Sequence, residues 1–335
     1  MAMTLAEMKV GMSDKIAQQV VDTFIRNSEI LELLPFDNSV SPNGGSTLTY
    51  GYIQKKIPGQ TAFRAINSEY TASQATVEKK SVDLKVFGGA FEIDRVIKQA
   101  EGMYNNMAYQ LEEKIKSAIG TFHNAMINGD STQNALEFDG LDKFLVSQTT
   151  EFNTDAYIDL STMAKLKENA DVFYEALTSL INSTGADAIL VNADMKTKIQ
   201  TVARILGYKT ESEEAFGRTI TKLDKVRIID LKNVTTVTSA TEDTEAKADE
   251  LPIIGKKTRT IASASVTGLT DIYAIKFDVN EGFHGVTLTG NSAISQYLPD
   301  FNTPGAVKKG EVEMVAAVAL KNVKHAGVLR NIKIA

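Results

Sequence analysis

Residues 82–129 read VDLKVFGGAFEIDRVIKQAEGMYNNMAYQLEEKIKSAIGTFHNAMING, and the change of period inside this stretch decides the fold class. Val82, Leu84 and Val86 alternate with Asp83 and Lys85, the period of a strand with one buried face. From Asp94 the apolar positions become Val96, Ala100, Met103, Met107, Leu111, Ile115, Ala118, Phe122 and Met126, steps of three and four that trace one helical stripe. Asp94 suits an N-cap and Asn128-Gly129 a helix end, so the pattern predicts a helix over 94–128, about 50 Å long at 1.5 Å per residue. Gly102 and Gly120 weaken it, so packing along the stripe has to hold it.

On the N-terminal side, Leu48, Tyr50 and Tyr52 alternate with Thr47, Thr49 and Gly51 and predict a second strand. Between the two strands, residues 54–80 are polar, with scattered Ile57, Phe63, Ile66 and Val77. An internal loop of that length cannot bury enough of itself to offset its ordering entropy, which signals either a functional segment or a wrong assignment; a long hairpin arm that packs on another subunit is one way out. The Pro58-Gly59 turn signal and the basic pair Lys55-Lys56 suit a solvated, reaching arm. Earlier still, residues 13–34 carry Ile16, Val20, Phe24, Ile30, Leu31 and Leu34 at partly helical spacing, stopped by Pro35, and 39–46 is turn-rich.

On the C-terminal side the punctuation is mixed α and β. A helix over 171–182 ends at Gly185, a buried strand covers 188–191, and Asn192 or Asp194 caps a further helix that runs to Gly207. Residues 226–231 and 272–277 read as strands, and the acidic, Thr/Ala-rich 235–250 between them reads as an exposed insertion. Residues 311–334 look like a closing strand pair.

Composition excludes several function classes. With 335 residues, 43% apolar and 23% charged, the chain suffices for one large or two modest cores, and its net charge of −6 argues against a protein that coats nucleic acid. Cysteine is absent, and His123, His284 and His325 form no metal-ligand spacing, so neither a zinc site nor a His-based triad is expected. Gly88-Gly89 follows a strand without a phosphate-loop pattern and reads as a bulge or a close backbone approach. No secretory pattern and no membrane span is read. Glu112-Glu113 and Glu311 with Glu313 read as solvated faces, Met103, Met107 and Met126 as core, and His284 as a turn histidine with a structural hydrogen bond. Tyr50, Tyr52 and Tyr70 with Lys55, Lys56 and Arg64 would suit base stacking, but the acidic balance and the missing RNP or OB pattern weigh against it. What remains is an α+β chain with a long arm, a long helix, no visible active site and no implied cofactor, a combination that favours an assembly protein.

The order of elements resembles the major capsid protein family of tailed bacteriophages with the HK97 fold. SEILELLPF (28–36) looks like the arm segment before the first strand, and LTYGYIQKKIPGQTAFRAINSEY (48–70) is similar to the family's extended loop. KVFGGAFEID (85–94) resembles the return strand and Gly-Gly joint before the spine helix, and FDGL (138–141) the segment leading into the axial domain. Residues 311–334 are similar to the closing strands of the peripheral domain. The resemblance implies an N-terminal arm (1–41), an extended loop hairpin (42–93), a spine helix and peripheral domain (94–140), an axial domain (141–305) and closing strands of the peripheral domain (306–335).

It also implies a homo-oligomer of pentamers and hexamers enclosing double-stranded DNA without specific binding, assembled in the bacterial host cytoplasm with a portal and no membrane. Only a short arm precedes the first strand, so a separate scaffolding protein or earlier processing is expected. The inter-subunit contacts would come from the loop residues Lys55, Lys56, Ile57, Pro58, Phe63, Arg64 and Ile66. Some members join neighbours through a Lys–Asn isopeptide bond; here no pattern marks the Asn or the activating Glu, and a solvated or salt-bridging Lys55-Lys56 pair is the simpler reading. Encapsulins, compartment shells of the same fold around an enzyme cargo, are the alternative, and an enzyme with a site in the axial block is a remote one.

Overall fold

The computed structural model describes residues 29–41, 47–99, 106–208, 211–215, 218–223, 225–238, 247–289 and 294–335. A short helix α1 (Glu29–Leu33) buries Ile30 and Leu31 and stops before Pro35; residues 13–28 of the expected arm helix lie outside the described residues. β1 (Phe36–Val40) follows, then β2 (Thr49–Ile57) and β3 (Thr76–Asp83) as an antiparallel hairpin, then β4 (Lys85–Asp94). Part of the expected loop is therefore paired, because β2 continues through Lys55 to Ile57 and β3 starts at Thr76, leaving 58–75 between them. The alternation over 82–86 hides a corner: Val82 belongs to β3, which ends at Asp83, and Val86 belongs to β4. Leu84 turns that corner buried, its N–H donating to Leu48 O at 2.8 Å, so the period survives while the direction changes.

The predicted helix appears as α2 (Arg95–Gln99) and α3 (Asn106–Asn128), with 100–105, and so Ala100 and Met103, outside the described residues. Asp94 Oδ1 accepts the Val96 N–H at 2.7 Å, as its capping role predicts. The 23 residues of α3 span about 35 Å and bury Leu111, Ile115, Ile119, Phe122 and Met126. Phe122 is the hub, its ring centroid 6.1 Å from those of Phe36 and Phe87 and 5.9 Å from that of Phe138.

The remaining elements are α4 (Leu141–Phe144), β5 (Glu151–Phe152), β6 (Ile158–Asp159), α5 (Met163–Glu168), α6 (Ala170–Thr184), β7 (Ala188–Val191), α7 (Ala193–Ile205), β8 (Glu211–Ala215), β9 (Arg218–Leu223) and β10 (Val226–Asp230). Then come β11 (Asn233–Thr238), β12 (Lys247–Pro252), β13 (Lys257–Ile261), β14 (Ala264–Ile275), β15 (Phe283–Leu288), β16 (Ile294–Tyr297), β17 (Val307–Leu320) and β18 (Ala326–Lys333). Gly185 ends α6 in the left-handed region at φ 61°, and the Asn192 side chain caps α7 by accepting the Met195 N–H at 2.8 Å. The segment 235–250 is not simply an exposed insertion, since its ends pair as β11–β12; residues 239–246 lie outside the described residues.

Two larger sheets carry the fold. In the five-stranded sheet, ordered β1-β15-β17-β16, β17 also pairs with β4 over Val307 to Ala316. The nine-stranded sheet runs β5-β18-β14-β7-β10-β9-β8, with β13 on β14 and β6 on β18. The expectation that 311–334 is one strand pair does not hold: β17 belongs to the first sheet and β18 to the second. Period-2 patterning shows only that each strand has a buried face, and both do. The run 188–191 is buried on both faces. Ile189 and Val191 pack with Phe173, Leu177 and Ile199 of α6 and α7, while Ala188 and Leu190 belong to the core that holds α3.

An ion network ties this second sheet together. Arg330 on β18 bonds Asp142 of α4, reaches Asp271 of β14 at 3.3 Å and Glu151 of β5 at 2.8 Å, and Arg259 of β13 meets Asp271 at 2.5 Å. Burial raises the Asp142 carboxyl, but Lys257 and Arg330 outweigh it and hold it at about 2. At Gly88 the partner strand β17 comes so close that an added Cβ would lie 2.0 Å from Val312 O, which explains the glycine inside β4, not at its end. Two other glycines, Gly285 and Gly310, sit under the rings of their cross-strand partners Phe36 and Phe91.

Two outcomes follow for stability. Gly88→Ala, which must push β4 from β17, is expected to cost about 2–4 kcal/mol in chemical unfolding, whereas Gly51→Ala, whose methyl meets only the flexible Lys79 chain at 3.2 Å, stays within about 0.5 kcal/mol. Arg330→Leu removes the cation shared by Asp142, Asp271 and Glu151, leaving Lys257 and Arg259 to face the first two, and is expected to cost about 3 kcal/mol at pH 7. Because the folded-state pKa of Asp142 lies below its unfolded value, its stabilisation is complete above about pH 4 and fades towards pH 2. The variant's deficit therefore shrinks over that interval in a pH series of unfolding curves.

Candidate assembly surface

The hairpin β2–β3 divides into a root held by the body and an exposed distal part. Along β2 the side chains alternate: Tyr50, Tyr52 and Gln54 face the body, Gly51, Ile53 and Lys55 face away. Tyr50 is buried and its hydroxyl donates to Asp37 Oδ2 at 2.8 Å; the Tyr52 hydroxyl donates to Leu320 O at 3.1 Å, and Gln54 Nε2 to Lys321 O at 2.9 Å. Burial raises the Asp37 carboxyl, but hydrogen bonds from Tyr50 and Ser39 outweigh it and leave it below the usual carboxylate range. Burial, with Asp37 beside it, pushes the Tyr50 phenol well up, so Tyr50 remains a neutral donor. Of the three tyrosines read as possible base-stacking residues, Tyr50 and Tyr52 are thus structural anchors, whereas Tyr70 lies exposed at the tip.

Beyond Gln54 every residue singled out from the sequence, Lys55, Lys56, Ile57, Pro58, Phe63, Arg64 and Ile66, lies exposed on the distal part. Phe63 and Ile66 are 107% and 90% exposed, and the outward-facing Ile53 and Val77 are 74% and 66% exposed. The tip keeps a local shape without a core: Asn67 adopts φ 66°, Arg64 Nη1 donates to Ser68 O at 3.2 Å, and the Arg64 guanidinium lies 5.3 Å from the Tyr70 ring centre. Lys56 lies 3.7 Å from Glu78, an exposed pair that adds little stability. Ile53 escaped the sequence reading because it sits within a strand, where an apolar residue is ordinarily taken as inward-facing.

His284, expected in a turn, lies inside β15 and is fully buried, with Nδ1 3.3 Å from Gly282 O. Met126 is core, as expected. A cleft of about 820 Å³ lined by Asn192, Asp194, Asp230, Lys232, Glu250 and Lys256 opens at the ends of β7 and β10; Lys256 is paired with Asp194 at 2.8 Å, and His284 is not among its walls. No described helix is long and apolar enough to cross a membrane.

The hairpin, the helix packed on a five-stranded sheet and the nine-stranded sheet with its helices together have the HK97 fold. The chain is similar to the SrpI encapsulin of Synechococcus elongatus PCC 7942, with TM-score 0.58 and 11% identity over 91% of this chain and 87% of that one. It is similar to the capsid protein of a native GTA particle, with TM-score 0.53 and 9% identity over 92% and 90%, and to a structure from Mycobacterium phage Bobi, with TM-score 0.54 and 9% identity over 91% and 90%. No protein-family model and no curated protein sequence matches the chain.

Tyr50→Phe, which removes the donor to Asp37, is expected to cost about 1 kcal/mol in thermal unfolding of the unassembled subunit. Phe63→Ser and Ile66→Ser, at positions with nothing to lose, are expected to change it by less than about 0.5 kcal/mol.

Proposed function

We propose that this chain is the major capsid protein of a tailed bacteriophage, whose copies form pentamers and hexamers around double-stranded DNA. One observation carries the reading: a hairpin anchored at its root and holding Ile53, Ile57, Phe63, Ile66 and Val77 out in solvent, within a fold of shell proteins. Burying one such side chain contributes about 1.5–3 kcal/mol, so contact with a neighbouring copy supplies burial that the isolated subunit lacks. Lys55, Lys56, Pro58 and Arg64 would sit in the same contact. In this reading 94–140 and the strands after 306 form the peripheral domain and 141–305 the axial domain. A portal and a separate scaffolding protein act during assembly in the bacterial cytoplasm. A net charge of −6 keeps packaged DNA from adhering to the wall.

The TM-score of 0.58 to an encapsulin supports a second reading, a compartment shell around a protein cargo. Negative-stain electron microscopy of the purified chain, with and without a co-expressed scaffold, separates shell formation from its absence: closed polyhedra or rings of five and six are expected, and uniform monomers in both samples would overturn both readings. Shells that hold a cargo protein in place of DNA select the encapsulin. Deleting residues 58–70 is expected to leave the subunit's unfolding midpoint within a few degrees while abolishing closed shells; normal shells from that variant would remove the hairpin from assembly.

A further inference from the structure

His284 lies on β15 directly beneath the hairpin root. Its cross-strand partner is Ala319, and the ring of Tyr50 stands edge-on to it at 5.7 Å. Every root bond ends close by: Tyr52 on Leu320 O, Gln54 on Lys321 O, and Tyr50 on Asp37, next to Phe36, whose ring covers Gly285. The histidine itself is incompletely satisfied. With Nδ1–H donating to Gly282 O, Nε2 is a buried lone pair with no hydrogen-bond partner. A neutral imidazole tolerates this, whereas an imidazolium there has a buried N–H and no acceptor.

The groups that face the ring come from each neighbouring element. β1 contributes Asp37, the residue after β17 contributes Lys321, the segment before β15 contributes Asp278, and β2 contributes the neutral phenol of Tyr50. The carboxylates favour a proton on His284 and the Lys321 ammonium opposes it. Burial is the largest influence and sets the balance, holding the ring below the usual histidine value.

We propose that His284 is an acid-labile pin: proton uptake at Nε2 is relieved by separating the hairpin root from β15, so that mild acid frees the hairpin to pivot while the sheets stay intact. Stability contributed by neutral His284 is complete above an unfolded-state value of about 6.5 and declines as pH falls below it, because the opened root binds the proton more tightly. At pH 5.5 the opening equilibrium can rise by up to about elevenfold. The device depends on the fold and not on the shell reading.

The test is hydrogen–deuterium exchange of the unassembled full chain from pH 7.5 to 5.5, corrected for intrinsic exchange rates. Residues 49–57 and 76–83 are expected to lose protection several-fold, while β14 and β18 keep theirs. His284→Phe, which cannot take a proton, is expected to abolish the pH dependence, and His284→Gln provides a second uncharged replacement. His123, buried on α3 with its pKa pushed down to about 4, and His325, 3.5 Å from Glu281, remain in both variants, so a lost response assigns it to His284. A response retained in a folded variant overturns the proposal. If neither variant folds, the wild type decides: loss confined to the hairpin supports the pin, and loss shared equally with β14 and β18 overturns it.

Discussion

The ladder between Lys85–Asp94 and Val307–Leu320 joins parts of the chain more than two hundred residues apart, and the other elements take their positions from it. Its β4 side leads back to the hairpin through Leu84 and forward to the helix through the Asp94 cap. Its β17 side pairs with β15 and β16, and so carries β1 and the ground on which the hairpin root stands. Close approach at Gly88 is the condition for this arrangement: a side chain there would collide with the backbone of Val312.

The second sheet relies on a different balance. One of its faces packs on α6 and α7, the other on the core around Phe122, so its central strands carry apolar residues at consecutive positions. The charged groups that do enter gather in a network around Arg330, Asp142 and Asp271, supported by the Tyr273 hydroxyl, which donates to Asp142 at 3.0 Å. Buried charges are tolerated there because each is met by an opposite charge or a donor.

The hairpin inverts both strategies. Its root is secured by tyrosine hydroxyls and a glutamine amide on backbone carbonyls and one carboxylate, and its distal half leaves apolar side chains in water. Within one subunit those side chains gain nothing. The root, not the tip, couples the hairpin to the rest of the protein.

Sequence period alone determined the kinds of element: the helical stripe ending at Met126, the capped helix after Asn192, the doubly buried strand 188–191 and the solvated tip around Phe63 and Ile66. These are local properties, set by side-chain spacing and capping chemistry within a few residues. Tertiary structure decided what spacing cannot encode. Alternation is unchanged by a corner, so the split of 82–86 between two strands was hidden; it does not name a partner, so β17 and β18 looked like a pair although they serve different sheets. The Arg330 network and the place of His284 beneath Tyr50 were likewise invisible, because they bring together residues from 37 to 330 whose only relation is the packing of the folded chain.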